Sequence, residues 1–251
     1  MVADAPLHYW RIADPPGSYL WQNIGTIGAF GQFATPATAS APLSGFSGPV
    51  SDGGAAFFSY GSFGQGPVFS HAIPLTLECW IWFLPEVTGN RIAFAWNYDS
   101  NSVGIGLSGT NQPQLWGGGG TNVQGGATLS SYTWHHLVGV YQAGATHLYV
   151  DGALTGSGSG PTGSPYNNIQ AWLARTNANG QLFAGLISEV AFYPSALSAA
   201  RALAHFNAAD QKTAPPVYGA ASGLQGLPTN SAYTDLLQQI LQSVRKTFVD
   251  L

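Results

Sequence analysis

The chain has 251 residues, of which 45% are hydrophobic and only 7% are Asp, Glu, Lys or Arg, against about 25% charged residues in an average globular protein. A chain of this length can bury a core of ordinary size within one all-β domain. The net charge is -4 and the seven basic residues are scattered, which excludes a basic surface for a phosphate backbone, so nucleic acid is not an expected partner.

Cysteine content and apolar runs limit the class of protein further. Cys79 is the single cysteine, which excludes an internal disulfide and a cysteine metal cluster, and we interpret it as a small core residue. No apolar run reaches the ~18 residues that a membrane span needs. The first residues, MVADAPLHYW, lack a basic region followed by an apolar region, so the sequence predicts neither a membrane span nor a secretion signal.

Short strands joined by tight turns are the predicted elements of the first half, because the chain holds 33 Gly, 16 Pro and 13% aromatic residues. The segment LTLECWIWFL, 75–84, is apolar on both faces and is predicted to be a central strand. Further strand candidates in this half are 7–13, AAFFSY (55–60), 91–96, 102–108 and 113–117.

A β-hairpin is predicted over 134–151, where WHHLVGVY and THLYVDG are separated by QAGA. A turn at 142–145 sets Val140 opposite His147 and His136 opposite Asp151, and it points His135 to the other face. Adjacent histidines on a strand do not share one metal ion. We therefore interpret the histidines as parts of a structural hairpin with at most one His136–Asp151 pair.

The second half continues with strands at 169–175 and 181–193 and a short helix within 194–210, for which Ser198 is the predicted N-cap. Residues 212–230 form a Pro/Gly/Ala linker, which places the main domain at 1–211. Residues 231–251 are predicted to be an amphipathic helix for anchoring or for oligomerisation as a trimer or dimer. Its apolar seam consists of residues spaced 4, 3, 4 and 3 apart: Leu237, Leu241, Val244, Phe248 and Leu251. Ile240 lies beside this seam and widens the apolar face.

Three segments resemble a known family: LTLECWIWF, TWHHLVGVYQAGATHLYVDG and FAGLISEVAFYPSALS. They are similar to conserved strands of the laminin-G-like jelly-roll domains of the concanavalin A-like lectin/glucanase superfamily, of the kind found in bacteriophage minor tail proteins. The resemblance covers about residues 7–209. It implies an all-β fold, an antiparallel two-sheet β-sandwich with a short helix, to which the C-terminal amphipathic helix is added as a separate element.

Catalysis is not predicted. Glycoside hydrolases need two carboxylates flanking the scissile bond, whereas Glu78 and Glu86 are eight residues apart with Pro85 between them. Glu189 is isolated, because Ser188 stands where the resemblance implies an aspartate. No Ser-His-Asp or Cys-His arrangement is recognisable in the sequence.

Metal binding is not predicted either. A calcium site on such a fold needs several oxygen ligands. The candidates are residues 97–101, Asp151 and the pair Asn167 and Asn168, and none of them has a diagnostic spacing. The sequence therefore predicts no metal and no cofactor.

Carbohydrate binding requires aromatic rings that stack on sugars and amide or carboxylate groups that bind hydroxyls. Residues of these types lie in or beside predicted loops, and any one of the aromatics is equally interpretable as a core residue. The candidate ligand-binding residues are Trp96, Tyr98, Asp99, Asn101, Trp116 and Asn122.

The functional hypothesis that follows is a non-enzymatic bacteriophage virion protein, a tail or head accessory protein. Its lectin-like domain is expected to bind a glycan or host surface, and its C-terminal helix is expected to attach it to other virion subunits. Two alternatives stay open. One is a decoration protein of the virion with purely structural contacts, and the other is a secreted, extracellular bacterial lectin or adhesin module.

Overall fold

The computed structural model describes residues 1–16, 18, 20–28, 32–34, 42–59, 61–85, 89–96, 103–117, 121–161, 166–176 and 181–218. One turn of 3₁₀ helix, Val2–Asp4, precedes the strands. In chain order the elements are β1 His8–Trp10, β2 Leu20–Trp21, β3 Phe33–Ala34, β4 Leu43–Ser47, β5 Gly54–Phe58, β6 Gly64–His71, β7 Leu75–Phe83, β8 Arg91–Trp96, β9 Val103–Leu107, β10 Pro113–Gly117, β11 Thr121–Gln124, β12 Trp134–Gln142, β13 Ala145–Val150, β14 Ala153–Gly158, β15 Tyr166–Leu173, β16 Gly185–Tyr193 and α1 Ala199–Ala208. No helix among these residues is long and apolar enough to cross a membrane.

The strands form two antiparallel sheets, which confirms the predicted all-β sandwich. Sheet A has the order β14-β13-β12-β7-β16-β5-β4, with β1 also pairing with β16. Sheet B has the order β11-β10-β9-β8-β15-β6-β3-β2. The inward side chains of both sheets interdigitate in one large apolar core that contains Trp10, Cys79, Phe94, Trp96 and Phe192.

The two strongest sequence predictions lie side by side in sheet A. The apolar segment at 75–84 is β7, and it pairs with β12 on one side and β16 on the other, which explains why every residue of β7 is buried. The predicted hairpin is β12 and β13, joined at Gln142–Ala145 with Val140 opposite His147. Both predictions are confirmed.

Helix α1 packs on the outward face of sheet A, where Phe206 stacks on Trp80. Its N-cap is Ser198, as predicted, and the Ser198 hydroxyl accepts a hydrogen bond from the Arg201 amide. The first residues of the predicted linker also lie on the sandwich, because the Ser47 amide donates to Val217 O along the edge of β4. Gln211, directly before the linker, donates its amide to Pro49 O. The remainder of the linker and the predicted C-terminal helix lie outside the described residues.

Two glycines on β9 give a test of this geometry. A Cβ atom on Gly106 would lie 2.1 Å from the Arg91 carbonyl oxygen, whereas a Cβ on Gly104 would meet no atom closer than Ile92 Cδ1 at 3.3 Å. We expect Gly106→Ala to lower the free energy of unfolding by roughly 2–4 kcal/mol, because strand backbone would have to move. Gly104→Ala is the matched control, with an expected change below about 1 kcal/mol. Urea unfolding measures both, and equal losses would contradict the register of β8 and β9.

Candidate functional site

One line of residues crosses the outward face of sheet B from edge to edge. It is defined by the pairing register of successive strands, each of which contributes one residue. From β11 to β2 these residues are Asn122, Trp116, Gly104, Ala95, Trp172, Gln65, Ala34 and Leu20. We call this line the sheet B row.

The row faces away from the core because side chains alternate along each strand. Leu115, Ile105 and Leu173 point inward into the core, so Trp116, Gly104 and Trp172 beside them point outward. A bulge between Ile92 and Phe94 shifts the alternation in β8. As a result, Trp96 points inward and Ala95 points outward.

The centre of the row is a floor of two small residues between two tryptophans. Gly104 and Ala95 are buried, whereas Trp116 and Trp172 are partly exposed. The two tryptophans are three strand spacings apart, about 14 Å. Beneath this floor the Tyr141 hydroxyl donates to Gly104 O at 2.7 Å and also lies 3.1 Å from Trp116 O. A core side chain of sheet A therefore fixes the backbone that carries the floor and one tryptophan.

Trp172 is held in place from one side by a cation and a second ring. The Arg175 guanidinium lies 4.9 Å from the Trp172 ring centroid and 3.9 Å from that of Phe63. Burial lowers the pKa of the Arg175 guanidinium. The buried Nε1 of Trp172 has no hydrogen-bond acceptor among the described residues. Because this atom is buried, Trp172 contributes its ring and not its N–H group to the row.

Carboxamides supply the polar groups around the tryptophans. Asn122 is exposed beside Trp116, and Gln65 Nε2 donates to Gln170 Oε1 at 3.1 Å beside Trp172. Gln124 Nε2 donates to Gln112 Oε1 at 2.7 Å at the β11 edge. Carboxamides both donate and accept hydrogen bonds. The row itself contains no Asp, Glu, Lys, Arg or His, so its chemistry is neutral: aromatic faces flanked by amides.

The six ligand-binding candidates from the sequence have different outcomes. Trp116 and Asn122 are direct cross-strand partners on the outward face. Trp96 is wrong as a surface residue, because it is fully buried and its Nε1 donates to Ile169 O. Tyr98, Asp99 and Asn101 lie outside the described residues. Trp172 was missed, although its alternation with the inward-facing Ala171 and Leu173 and its spacing from Gln170 could have indicated an outward position.

The hairpin histidines form a different pair from the one predicted. Asp151 Oδ2 lies 2.8 Å from His135 Nδ1, while Asp151 Oδ1 accepts from the His136 amide. Asp151 has a positive φ of 50°, so its side chain leaves the strand alternation and reaches His135. The expected His136–Asp151 side-chain pair is therefore wrong.

His135 also brings together a serine, a histidine and an aspartate that the sequence did not reveal. His135 Nε2 lies 3.2 Å from the Ser130 hydroxyl, but the same nitrogen lies 3.0 Å from the Ser130 carbonyl oxygen. The Ser130 carbonyl oxygen is the nearer of these two groups to Nε2, so His135 is not directed at the hydroxyl alone, as a base for a serine nucleophile would be. The arrangement is suited to clamping the 128–133 loop onto the Asp151 turn.

Two buried carboxylates lie under the outward face of sheet A. Glu78 is fully buried and accepts from His136 Nε2 at 2.6 Å, His205 Nδ1 at 3.1 Å and the Tyr193 hydroxyl at 2.7 Å. Burial alone would raise the pKa of Glu78, but the bonds from both histidines outweigh it and lower the pKa. The Glu78 oxygens are thus committed to internal partners.

Glu189 is the second buried carboxylate and has weaker compensation. It accepts from the Tyr9 hydroxyl and lies 3.4 Å from Arg11 Nε, while the Arg11 guanidinium also binds Asp52. Burial raises the pKa of Glu189 to about 7.

Among the described residues, no group of three or more His, Cys, Asp or Glu side chains is placed to hold a metal ion. Of the calcium candidates, Asp151 binds His135, Asn167 and Asn168 are exposed on β15, and 97–101 lie outside the described residues.

The family model of the concanavalin A-like lectin/glucanases superfamily (Laminin_G_3) matches residues 53–202, more than half of the chain. The chain belongs to this superfamily. The matched region includes β7, the β12–β13 hairpin and β16, which carry the motifs recognised in the sequence. It also includes six of the eight residues of the sheet B row, namely Gln65, Ala95, Gly104, Trp116, Asn122 and Trp172. No curated protein sequence matches the chain.

Solved structures with the same fold include carbohydrate-active and toxin proteins. Domain 4 of AbnA, an extracellular arabinanase from Geobacillus stearothermophilus in complex with arabinotriose, has a TM-score of 0.62 at 18% identity, covering 82% of this chain and 98% of that domain. Trypanosoma rangeli sialidase has a TM-score of 0.60 at 13% identity, covering 84% of this chain but 34% of the sialidase. The binding domain of botulinum neurotoxin serotype G has a TM-score of 0.58 at 9% identity, covering 80% of this chain and 50% of that domain. At these identities the likeness establishes the fold.

Proposed function

We propose that this superfamily member is a non-enzymatic glycan-binding protein and that the sheet B row is its binding surface. The observation that carries the proposal is the pair of partly exposed tryptophans on the outward face of sheet B, each with a carboxamide as its cross-strand partner. Indole faces bind the apolar faces of sugar rings, and the neighbouring amides suit sugar hydroxyls. The arabinotriose complex of the arabinanase domain supports the same class of ligand.

Binding without chemistry is supported by the state of the carboxylates. Glycoside hydrolysis needs two carboxyl groups that reach the scissile bond from either side. Glu78 and Glu189 are 0% and 1% exposed and bind internal partners, and both belong to sheet A. The sheet B row has no carboxylate of its own.

A glycan array with the full chain tests the proposal. We expect the chain to be retained on a subset of glycans. The double variant Trp116→Ala/Trp172→Ala should give a signal at least tenfold lower on the same glycans, because both aromatic contacts are removed. Tyr132→Ala is the control, since Tyr132 is 50% exposed and packs on Trp82 at sheet A. Retention of the double variant equal to that of the unaltered chain would refute the row as the binding surface.

We further propose that the chain is a bacteriophage virion protein that displays the sandwich and is attached to other subunits through residues 231–251. The low charge content, the likeness of the sequence motifs to phage tail domains and the seam of apolar residues in 231–251 support this role. Linked copies raise the effective concentration of a weak site and multiply avidity by roughly 10² or more. The competing roles are structural decoration of the particle and a secreted lectin module.

Deleting residues 231–251 is expected to abolish oligomerisation and incorporation into particles, because an isolated helix of about 20 residues needs a partner for its apolar face. The sandwich should keep its thermal transition, since α1 and the edge segment 211–218 remain. Sedimentation velocity and mass spectrometry of purified particles measure the two effects. An unchanged sedimenting mass together with unchanged incorporation would rule out this role for the segment.

A further inference from the structure

We propose that His205 is a pH-sensitive switch that holds residues 1–5 on the outward face of sheet A when its imidazole is protonated and releases them when the imidazole is neutral. This inference is independent of glycan binding. It is drawn from three features: a carboxylate at each nitrogen of one buried imidazole, the few other contacts of residues 1–5, and an unfavourable backbone conformation at Ala5.

The imidazole of His205 lies between two carboxylates. His205 is 4% exposed, its Nδ1 lies 3.1 Å from both carboxylate oxygens of Glu78, and its Nε2 lies 2.7 Å from Asp4 Oδ2. A neutral imidazole has a single N–H donor and can donate to only one of these carboxylates, whereas an imidazolium donates to both. The contacts on both sides are therefore satisfied together only when His205 is protonated.

The titratable and charged groups around His205 come from every element packed against it. They are the Glu78 carboxylate on β7, the His136 imidazole on β12, the Tyr193 hydroxyl on β16, the Arg201 guanidinium on α1, and the Asp4 carboxylate and Met1 amino group in the 3₁₀ turn. The hydrogen bonds from Arg201 lower the pKa of Asp4. Burial would raise the pKa of Glu78, but the bonds from its two histidines outweigh it and lower the pKa. Both carboxylates are thus anionic in the neutral range, and the proton between them is carried by His205.

Loss of that proton weakens the contact to Asp4 more than the contact to Glu78. Burial lowers the pKa of His205, but its bonds to Glu78 and Asp4 outweigh this and raise the pKa. The stabilisation of the docked segment is therefore complete below pH 6.5 and is lost as the pH rises through the raised pKa. Glu78 keeps two other internal donors, whereas the Asp4 side chain is 14% exposed and can exchange the imidazole for water.

Residues 1–5 have few other attachments to the sandwich. Within the described part of the chain, backbone hydrogen bonds to the sandwich begin at Pro6 and Leu7, and residues 1–5 make none. The Met1 side chain packs on the outward face of sheet A. Ala5 has a positive φ of 48°, a conformation that is unfavourable for a residue with a Cβ atom. Release of the segment would let Ala5 return to an ordinary conformation, so Ala5 is the expected hinge.

Nuclear magnetic resonance of the full chain between pH 6 and 9 tests the inference. The imidazole resonances of His205 report its titration, and the heteronuclear Overhauser effects of the Asp4 and Ala5 amides report the order of the segment. We expect both amides to be as rigid as those of α1 at pH 6 and to lose that order by pH 9, with the same midpoint as His205. The ratio of docked to released segment should fall by about tenfold or more, because each unit by which docking raises the pKa corresponds to a factor of ten.

Variants then assign the effect to the switch. His205→Gln cannot donate to both carboxylates at any pH, so residues 1–5 should be released at pH 6 as well. Asp4→Asn leaves the Glu78 cluster in place, and its amide can accept from an imidazolium or donate to a neutral imidazole, so the change in docking between pH 6 and 9 should shrink below about twofold. Glu189→Gln is the control: it removes another group that titrates near neutrality and should keep the full change.

The results decide the inference even if His205→Gln protein does not fold, because Asp4→Asn alters a partly exposed side chain. A change in order at residues 4 and 5 that follows His205 in the wild type and in Glu189→Gln, and that disappears in Asp4→Asn, supports the switch. Equal order of these residues at pH 6 and pH 9 in the wild type would overturn it. A change of the same size in Asp4→Asn would overturn it as well, since release would then not depend on the contact with His205.

Discussion

Replacing Glu78 by alanine is expected to lower the free energy of unfolding by about 3–5 kcal/mol, because it breaks a fully buried charged cluster by removing its centre. His136, His205 and Tyr193 each direct a polar atom at the Glu78 carboxylate. His205 also binds Asp4 at 2.7 Å, so the cluster links β7, β12, β16, helix α1 and the N-terminal turn. Without Glu78, these buried groups have lost their shared acceptor.

Urea unfolding followed by circular dichroism measures the loss. Glu78→Gln keeps the volume but not the charge and should fall between the wild-type chain and Glu78→Ala. Asp210→Ala, which removes an exposed carboxylate bound to the Ser51 amide, is the control and should leave the transition midpoint nearly unchanged. A loss below about 1 kcal/mol for Glu78→Ala would mean that water or rearrangement replaces the cluster at little cost.

The contribution of Glu189 to stability is expected to fall as the pH rises from 4.5 towards neutrality, whereas burial lowers the pKa of His8 to about 4 and gives a change of opposite sign below pH 6.5 in both the wild type and a Glu189 variant. Burial raises the pKa of Glu189 from 4.5 in the unfolded chain to about 7 in the fold, since Arg11 is shared with Asp52 and compensates the buried charge only in part. A group with a raised pKa in the folded state contributes stability that is complete below pH 4.5 and is lost as the pH rises through about 7. Complete loss amounts to about 3 kcal/mol.

Comparing the wild-type chain with Glu189→Gln isolates this contribution. The glutamine cannot ionise, so the variant should gain stability relative to the wild type as the pH rises from 4.5 to above 7. Burial lowers the pKa of His205, but its bonds to Glu78 and Asp4 outweigh this and raise the pKa, which adds a decline above pH 6.5 in both proteins. The lowered pKa of Glu78 has the opposite sign and affects stability only as the pH falls below 4.5. Parallel stability curves for the two proteins between pH 4.5 and 8 would contradict the raised pKa.

The fold was predictable because long elements carry strong patterns. The unbroken apolar run of β7 indicated a central strand, and the turn at 142–145 fixed the register of β12 and β13. Ser198 identified the start of α1. These signals are local in the chain, and each depends on a few neighbouring residues.

The site was less predictable because it combines the consecutive strands β8, β9, β10 and β11 with β15, whose pairing with β8 is non-local. Trp116 and Asn122 were identified from their position beside a turn, whereas Trp172 comes from a strand about 50 residues further along and meets them only through β9, β8 and β15. The bulge in β8 turned Trp96 into the core, and the positive φ of Asp151 redirected its carboxylate to His135. Bulges and positive-φ residues at non-glycine positions have weak sequence signals, so alternation alone gives the wrong face beyond them.

A glycan bound on the outward face of sheet B at Trp116 and Trp172 can be observed directly. The decisive measurement is a crystal structure of the chain with the oligosaccharide that the glycan array retains most strongly. We predict electron density for sugar rings against the indole faces, with hydroxyls bound to the flanking amides. Density for the oligosaccharide on sheet A, or at the ends of the sandwich with the row unoccupied, would contradict the sheet B row as the binding surface.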